Sequence, residues 1–459
     1  MWEGRKIDTK NDFSKGSVVK NIVSLAIPMT AAQLINVLYN IVDRLYIARI
    51  PKNATLAMTG LGLCLPIISI ITAFANLFGM GGSPLSSIER GRGNDEEAEK
   101  IMGNSFFMLL ICGVVLTTVG FLWKEPLLFL FGASEETFPY ADKYLTIYLC
   151  GSIFVMTGLG MNSFINAQGF GKTGMMTVLL GAIMNLILDP IFIFGFDMGV
   201  QGAALATVIS QFVSSVWILL FLTGKRTILR LRVSNFRLKV ERVKNIISLG
   251  MSAFIMAVTN GLVQIVCNAT LQQYGGDLYV GIMTVVNSIR EVVSMPVSGV
   301  THSAQPVMGY NYGAKKYKRV WQAIKFTSIS CIGYTSVIWG ILFLFPEFFI
   351  SLFNQDAVLI EKAVVCVHTY FFGFFMMSLQ FSGQCTFVGL GRSRYAMFFS
   401  TLRKVVIVIP LTLLLPKVAG LGTMGVFLAE PISNFIGGTA CFVTMLLTVG
   451  KEMRGEKSA

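Results

Sequence analysis

Apolar residues in this chain come in long continuous runs, separated by short polar or glycine-rich breaks. A helix crosses a bilayer core with roughly 20 apolar residues, whereas barrel strands alternate apolar and polar positions over about ten. The pattern predicts twelve spanning helices, near 20–48, 54–80, 101–123, 140–168, 173–197, 199–223, 243–272, 278–302, 319–345, 360–388, 394–416 and 420–448. Lipid offers no partner to a backbone N–H or C=O, so each span must close its own hydrogen bonds. The first 20 residues are polar and basic and the first apolar run is too long for a signal h-region. No cleavable signal peptide is therefore expected.

Polar residues inside these runs are few and ordered. Gln33, Asn36, Asn40 and Asp43 are spaced 3, 4 and 3 apart, which is one helix face. In span five, Asp189 follows Asn185 by four residues, and Pro190 comes next. Proline donates no backbone hydrogen bond and frees carbonyl oxygens in the preceding turn. Carboxylate, amide and freed carbonyls suit a sodium ion or a relayed proton. Depth along the spans would let these residues meet in the outer half of the first lobe. Asp43 lies roughly 30 Å along outward-running span one, Asp189 roughly 24 Å along span five, and Thr207 about 12 Å from the outer end of span six. Two other readings stay open. Asp43 could be a rim carboxylate balancing Arg49, and Asp189 could hold the Pro190 kink. The stripe of Gln33, Asn36 and Asn40 could equally be interhelical glue.

Composition agrees with a membrane protein. The 459 residues are 54% hydrophobic and 13% charged, against about 25% charged in soluble domains. Mean hydropathy is +0.67. Net charge is +13, which on a soluble chain would suggest nucleic acid. Here 26 of the 37 Lys and Arg fall in the termini and alternate loops of one side, 6 on the other and 5 inside spans. The positive-inside rule then places both termini and the central linker in the cytoplasm of an inner-membrane protein. Eight scattered cysteines and two histidines give no metal or redox motif.

The chain repeats itself. Ser24-Leu25 and Asn36 recur at Ser248-Leu249 and Asn260, an offset of 224. Gly169-Phe-Gly171 and Pro190 recur at Gly389-Leu-Gly391 and Pro410, offset 220, and Gly202 and Ser210 recur at Gly425 and Ser433, offset 223. Six spans per repeat is an even number, so both halves run the same way and are related by an axis along the membrane normal. The expected fold is all-α integral membrane: twelve transmembrane helices in two pseudo-symmetric six-helix lobes around a central cleft. Residues 1–19 form a cytoplasmic tail, 20–223 the first lobe, 224–242 a basic linker, 243–448 the second lobe and 449–459 a second tail. Two lobes that rock about a cleft are a transporter design.

Three stretches resemble the multidrug and toxic compound extrusion (MATE) family: Gly82-Ser-Pro-Leu-Ser-Ser-Ile-Glu-Arg-Gly91, Gln305-Pro-Val-Met-Gly-Tyr-Asn-Tyr-Gly-Ala-Lys315 and Asn185-Leu-Ile-Leu-Asp-Pro-Ile-Phe192. The resemblance implies export of cationic, amphipathic compounds against inward proton or sodium flow. It implies a cation-coupling network matching Asp43, Asn185, Asp189 and Thr207, with Asn162 by spacing, nearer the cytoplasm. Sodium, if used, is expected at Asp43, Asn185 and Asp189. A proline matching Pro28 is associated with bending of the first span. Some relatives carry acids in spans seven and ten; 250–270 and 365–388 here have none. By the repeat, Asp43, Asn185 and Asp189 correspond to Cys267, Val405 and Ile409, so the carboxylates belong to one lobe only.

Further candidates follow. Asn260, Gln264, Met377, Gln380 and Gln384 are candidate substrate-cleft residues of the second lobe, in a chain with 36 Phe and 23 Met; such surfaces adapt to varied shapes and attract cations. The bland alternative for each is core or lipid packing. Gly79-Met-Gly81-Gly82 lacks the strand–turn–helix setting of a nucleotide loop and reads as helix packing. Arg290, Glu291 and Glu430 read as structural ion pairs or substrate-side charges, and Arg403-Lys404 as snorkelling or inward-pairing. The expected function is a secondary antiporter, acting as a monomer in the lipid bilayer on small organic cations, with no cofactor beyond H+ or Na+. No nucleic-acid partner and no enzymatic activity are expected. The rival is a lipid-linked oligosaccharide or lipid flippase of the same architecture, which should show a cleft rich in Lys and Arg.

Overall fold

The computed structural model describes residues 11–50, 54–418 and 420–454. Residues 1–10 and 455–459 of the two expected tails, and Lys52 of the charge pattern, lie outside the described residues. The described chain is helical from end to end, with no strand among the described residues. The first half is α1 (Val18–Ile47), α2 (Ala54–Gly91), α3 (Asp95–Leu130), α4 (Phe138–Ala167), α5 (Gly171–Pro190) and α6 (Val200–Thr223). A 74-residue helical run, Val240–Gly313, holds two helices joined at Gly276, whose φ of 67° an L side chain adopts only with strain. They are α7 (240–275) and α8 (277–313). Then come α9 (Tyr317–Leu344), the pair α10 (Ala357–Phe371) and α11 (Phe374–Gly389) bent by 43°, α12 (Ser393–Lys417) and α13 (Thr423–Met453). With the kinked run taken as two and the bent pair as one, the described residues contain twelve segments of spanning length. The predicted span 360–388 is thus a broken one. Its break falls at Phe372-Gly373, between the aromatic turns Tyr370-Phe371 and Phe374-Phe375.

Large apolar side chains stand on the outside. Leu122, Leu130, Leu220 and Leu344 are each about 70% exposed or more. Exposed hydrophobic surface on this scale requires a solvent other than water, and lipid supplies it. The protein is a multi-pass membrane protein.

The chain divides into two compact units whose membership does not follow the halves. One takes Asp12 and Ala31–Phe254, the other Phe13–Thr30 with the described residues from Ile255 onward. The first helix therefore changes unit two residues after Pro28, and α7 changes unit at Phe254. In the first unit, α2 packs on α3 and α4, α4 on α6, and α5 on α6. The run Gly79-Met-Gly81-Gly82 makes close packing possible on three sides. A Cβ on Gly79 would lie 2.8 Å from the Gly160 Cα, one on Gly81 2.2 Å from the Ile246 carbonyl oxygen, and one on Gly82 2.7 Å from the Phe164 ring. Small residues that let backbones touch are the usual packing device between membrane helices. In the second unit, α11 packs on α9 and α13.

Each half is tied down by the segment that precedes the first helix of the other half. In the first unit, Asn104 Nδ2 donates to the Asn235 and Arg237 carbonyls at 2.9 and 3.1 Å, and Gln168 Oε1 accepts from Ile228 N and Leu229 N. Arg242 grips Glu97 with two bonds, 2.7 and 2.8 Å. That guanidinium holds the Glu97 carboxyl below the usual glutamate range. In the second unit, Arg319 donates to the carbonyls of Phe13, Lys15 and Gly16, and Asn311 Nδ2 donates to Phe13 O. The basic linker is therefore held against the N-terminal end of α3.

Candidate functional site

The site is built on α1, α5 and α6 of the first unit. Four-residue spacing puts Asn185 and Asp189 on one face of α5, and Asn185 Nδ2 donates to Asp189 Oδ1 at 3.2 Å. The same amide reaches Thr207 Oγ1 of α6 at 3.4 Å. Pro190 ends the regular helix, and one π-helical turn, Ile191–Gly195, follows. Such turns are frequent at functional positions because they leave carbonyls free of the regular ladder. Close approach of α5 and α6 depends on Gly181, where a Cβ would sit 2.6 Å from Ser214 Oγ.

Asp43 comes from α1 and turns inward. Its carboxyl group lies within hydrogen-bonding reach of Asp189. All four residues are buried, Asp189 completely. Asp43 Oδ1 and Asp189 Oδ2 have no hydrogen-bond partner in the protein. Two carboxyl groups in contact away from water need a proton or a cation between them, because bare like charges at that distance repel strongly. The pair therefore fits a hard cation or a shared proton. The fit for sodium is incomplete as the side chains stand: Asn185 aims its N–H group, not its oxygen, at Asp189 and Thr207. Among the described residues no three His, Cys, Asp or Glu side chains gather to hold a metal.

Beside the pair is a cavity of about 100 Å³, room for several waters. Asn36, Tyr39, Asn162, Asn185, Thr207 and Gln211 are in its wall. Asn162 shares this cavity but spends its own amide on the Gly174 carbonyl at 3.3 Å. Gly174 lies eleven residues before Asn185 on α5, about 16 Å along the helix. The polar stripe on α1 divides. Asn36 lines the cavity, while Asn40 is exposed and donates to Asn36 O of its own helix at 2.7 Å. Gln33 is half-buried, and Pro28 is buried within α1. Tyr39, one turn before Asp43, and the α6 face of Ser210, Gln211 and Ser214 were not among the site candidates read from the sequence, where Ser210 served only to mark the repeat. Their spacing from Asp43 and Thr207 at three, four and seven residues carried the signal.

The second-lobe candidates do not gather. Asn260 and Gln264 are exposed on α7. Met377 is packed in the core, and Gln384 Nε2 donates to Ala396 O and Ser400 Oγ at 2.9 and 2.8 Å, tying α11 to α12. Gln380 Nε2 does the same toward Phe399 O. Arg403 and Lys404 turn inward onto Glu430: Arg403 Nη2 donates to Glu430 Oε1, and Lys404 Nζ reaches both carboxylate oxygens at 3.3 Å. Glu291 is exposed.

Twelve apolar spans among the described residues, in two related halves, with a buried pair of carboxyl groups inside the first, are the plan of a membrane transporter. A family model described as MatE matches residues 28–191 and again 252–414, and the chain belongs to that family. The two matches begin 224 residues apart, the offset of the internal repeat. The chain is similar to the multidrug export protein MepA of Staphylococcus saprophyticus, 28% identical over 86% of this chain and 87% of that protein. MepA of Staphylococcus haemolyticus is 25% identical over 92% and 93%. Its fold is similar to a solved outward-facing multidrug resistance MATE family transporter of the MOP superfamily, with a TM-score of 0.91, 23% identity and 98% and 100% of the two chains covered. A MOP superfamily transporter from Pyrococcus furiosus superposes equally well, at 0.91 and 23% identity over 99% and 100%. At these identities the solved structures speak to the fold.

Proposed function

We propose that this protein is a secondary active antiporter that exports organic, amphipathic cations in exchange for inward H+ or Na+, with the Asp43–Asp189 pair as the coupling site. The single observation that carries this reading is the contact of two buried carboxyl groups from different helices, next to a polar cavity. The ionised pair attracts a cation. Gain of a proton or sodium removes that attraction, and the same positive charge cannot be counted twice; the two cations exchange. Asn185 and Thr207 hold the pair in place through the shared amide. Sodium would require Asn185 to turn its oxygen toward the pair, whereas a proton needs no rearrangement. The helix that carries Asp43 also carries Pro28, on the other side of the point where α1 changes unit, so a bend there is a route from charge to conformation.

Export of small molecules is in keeping with the names of the relatives in the staphylococci. The protein is proposed to work as a monomer in the inner membrane, with both termini in the cytoplasm. The test is efflux of a fluorescent organic cation from proteoliposomes with proton and sodium gradients imposed separately. Transport that follows one gradient and is lost in Asp43→Asn and Asp189→Asn supports the reading. Transport of a lipid-linked sugar precursor, with no response to the cation, would turn it to the flippase.

A further inference from the structure

The second unit holds a charged cluster that the coupling site does not use. Arg403 and Lys404 on α12 meet Glu430 on α13, and Arg290 Nη1 of α8 stands 4.0 Å from the same carboxylate. The side chains of Arg403, Lys404 and Glu430 are 7%, 6% and 6% exposed, and that of Arg290 29%. Three basic groups thus face one carboxylate, an excess of positive charge inside a membrane protein. A structural ion pair requires one base for one acid; further uncompensated charge in such a place costs several kcal/mol unless something neutralises it. The donors are also not used up. Arg403 bonds Glu430 and Asn434 Oδ1 through Nη2, but its buried Nε has no partner.

Position adds an independent argument. The 223-residue offset that relates Ser210 to Ser433 relates Thr207 to Glu430. The 220-residue offset that relates Pro190 to Pro410 places Arg403 and Lys404 directly before Val405, the counterpart of Asn185. The counterpart of Asp43, Cys267, lies close enough to feel the charges of Glu430, Lys404 and Arg290. Both basic residues sit on a π-helical stretch, Leu402–Val408, as the first-unit site adjoins one. The second half therefore has a polar site at the repeat-related place, with the sign of its charge reversed.

We propose that Arg290, Arg403 and Lys404 form an oxyanion-binding site for a carboxylate- or phosphate-bearing molecule, with Glu430 as an internal stand-in that the ligand displaces. Arg403 supplies a planar fork suited to such groups, Lys404 a compact charge, and Arg290, the least buried of the three, the side from which the ligand arrives. All the residues belong to the second unit, so this proposal stands or falls apart from the coupling pair.

The experiment measures saturable binding of carboxyfluorescein to the purified full-length protein by anisotropy, in neutral detergent and in phosphatidylcholine nanodiscs. Wild type binds and Arg403→Gln and Lys404→Gln weaken binding about tenfold or more. The informative variant is Glu430→Gln: removal of an internal competitor tightens dye binding about tenfold, even where the melting temperature falls. A purely structural ion cluster predicts the opposite, a destabilised protein with no gain in anion binding. Competition identifies the source. Displacement by inorganic phosphate supports a soluble oxyanion, and displacement only by phosphatidylglycerol supports a lipid headgroup. Absence of saturable binding in both wild type and Glu430→Gln, with both proteins folded, overturns the proposal.

Discussion

Asp189→Asn is the sharpest perturbation of the coupling site. Asparagine keeps the volume of aspartate, and its oxygen still accepts from Asn185 Nδ2, the 3.2 Å bond that fixes the side chain. Its N–H group can donate to Asp43, so the contact across α1 and α5 survives. What is lost is one of two charges. Two like charges about 4 Å apart interact by about 4 kcal/mol at an effective dielectric near 20. Relief of that repulsion is the drive for the pair to take up a proton or cation, and 4 kcal/mol corresponds to about a thousandfold in an equilibrium constant. In the variant, Asp43 stands alone and that drive disappears. The expected outcome is gradient-driven efflux of a fluorescent cation in proteoliposomes reduced at least tenfold, with a melting temperature within a few degrees of wild type. Asp43→Asn should behave the same way, and the double variant no worse than either, because the pair acts as a unit. Wild-type rates and unchanged dependence on the imposed gradient in both single variants would refute the reasoning.

Asn185→Ala strips Asp189 Oδ1 of its buried partner and should cost about 1–3 kcal/mol, read as a lower melting temperature. Thr207→Ala, at the longer 3.4 Å bond, should cost less. Gly181→Val drives a Cβ to within 2.6 Å of Ser214 Oγ, overpacks α5 against α6 and should destabilise by about 1–3 kcal/mol, with partial recovery when Ser214→Ala is added. Glu97, ahead of the apolar run of α3 expected over 101–123, titrates lower in the folded protein than in the unfolded chain because of Arg242. Its contribution is therefore complete above the ordinary glutamate range and fades as pH falls through the folded value. Since the carboxylate remains 31% exposed, Glu97→Gln should lower stability by at most about 1 kcal/mol at neutral pH and by nothing at strongly acid pH. Melting curves of the two proteins across pH test the sign.

Much of the architecture is legible in the residue pattern, and for a local reason. Lipid forces each apolar run to close its own hydrogen bonds, so span number and helix type follow from run length. Where neighbouring runs are joined without a polar break, the pattern is less informative. The broken span at Phe372-Gly373 shows in the sequence as one apolar run, whereas the break at Gly276 falls between the expected spans 243–272 and 278–302, where Gln272-Gln273 and Gly275-Gly276-Asp277 interrupt the run. Fixed helical spacing likewise puts Asn185 opposite Asp189 with no knowledge of the fold. The glutamines of α11 illustrate the limit. Gln380 and Gln384 share a face with cleft-like composition, yet their amides are spent on α12 carbonyls. No spacing rule says which face of a helix meets a neighbour.

From the order of residues alone came the membrane spans, the repeat, the one-sided placement of acids and the i, i+4 partners, all set by contacts within one helix or by charge along the chain. Depth along the spans already set Asp43 and Asp189, 146 positions apart, at a level where they could meet; tertiary structure turned them toward each other, and it alone decided that Asn36 faces the cavity while Asn40 bonds its own helix and that three bases from α8 and α12 converge on Glu430. These are contacts between helices, and helix rotation and neighbour choice depend on packing summed over the whole lobe. A buried charge announces that it needs a partner; only the packed fold selects one.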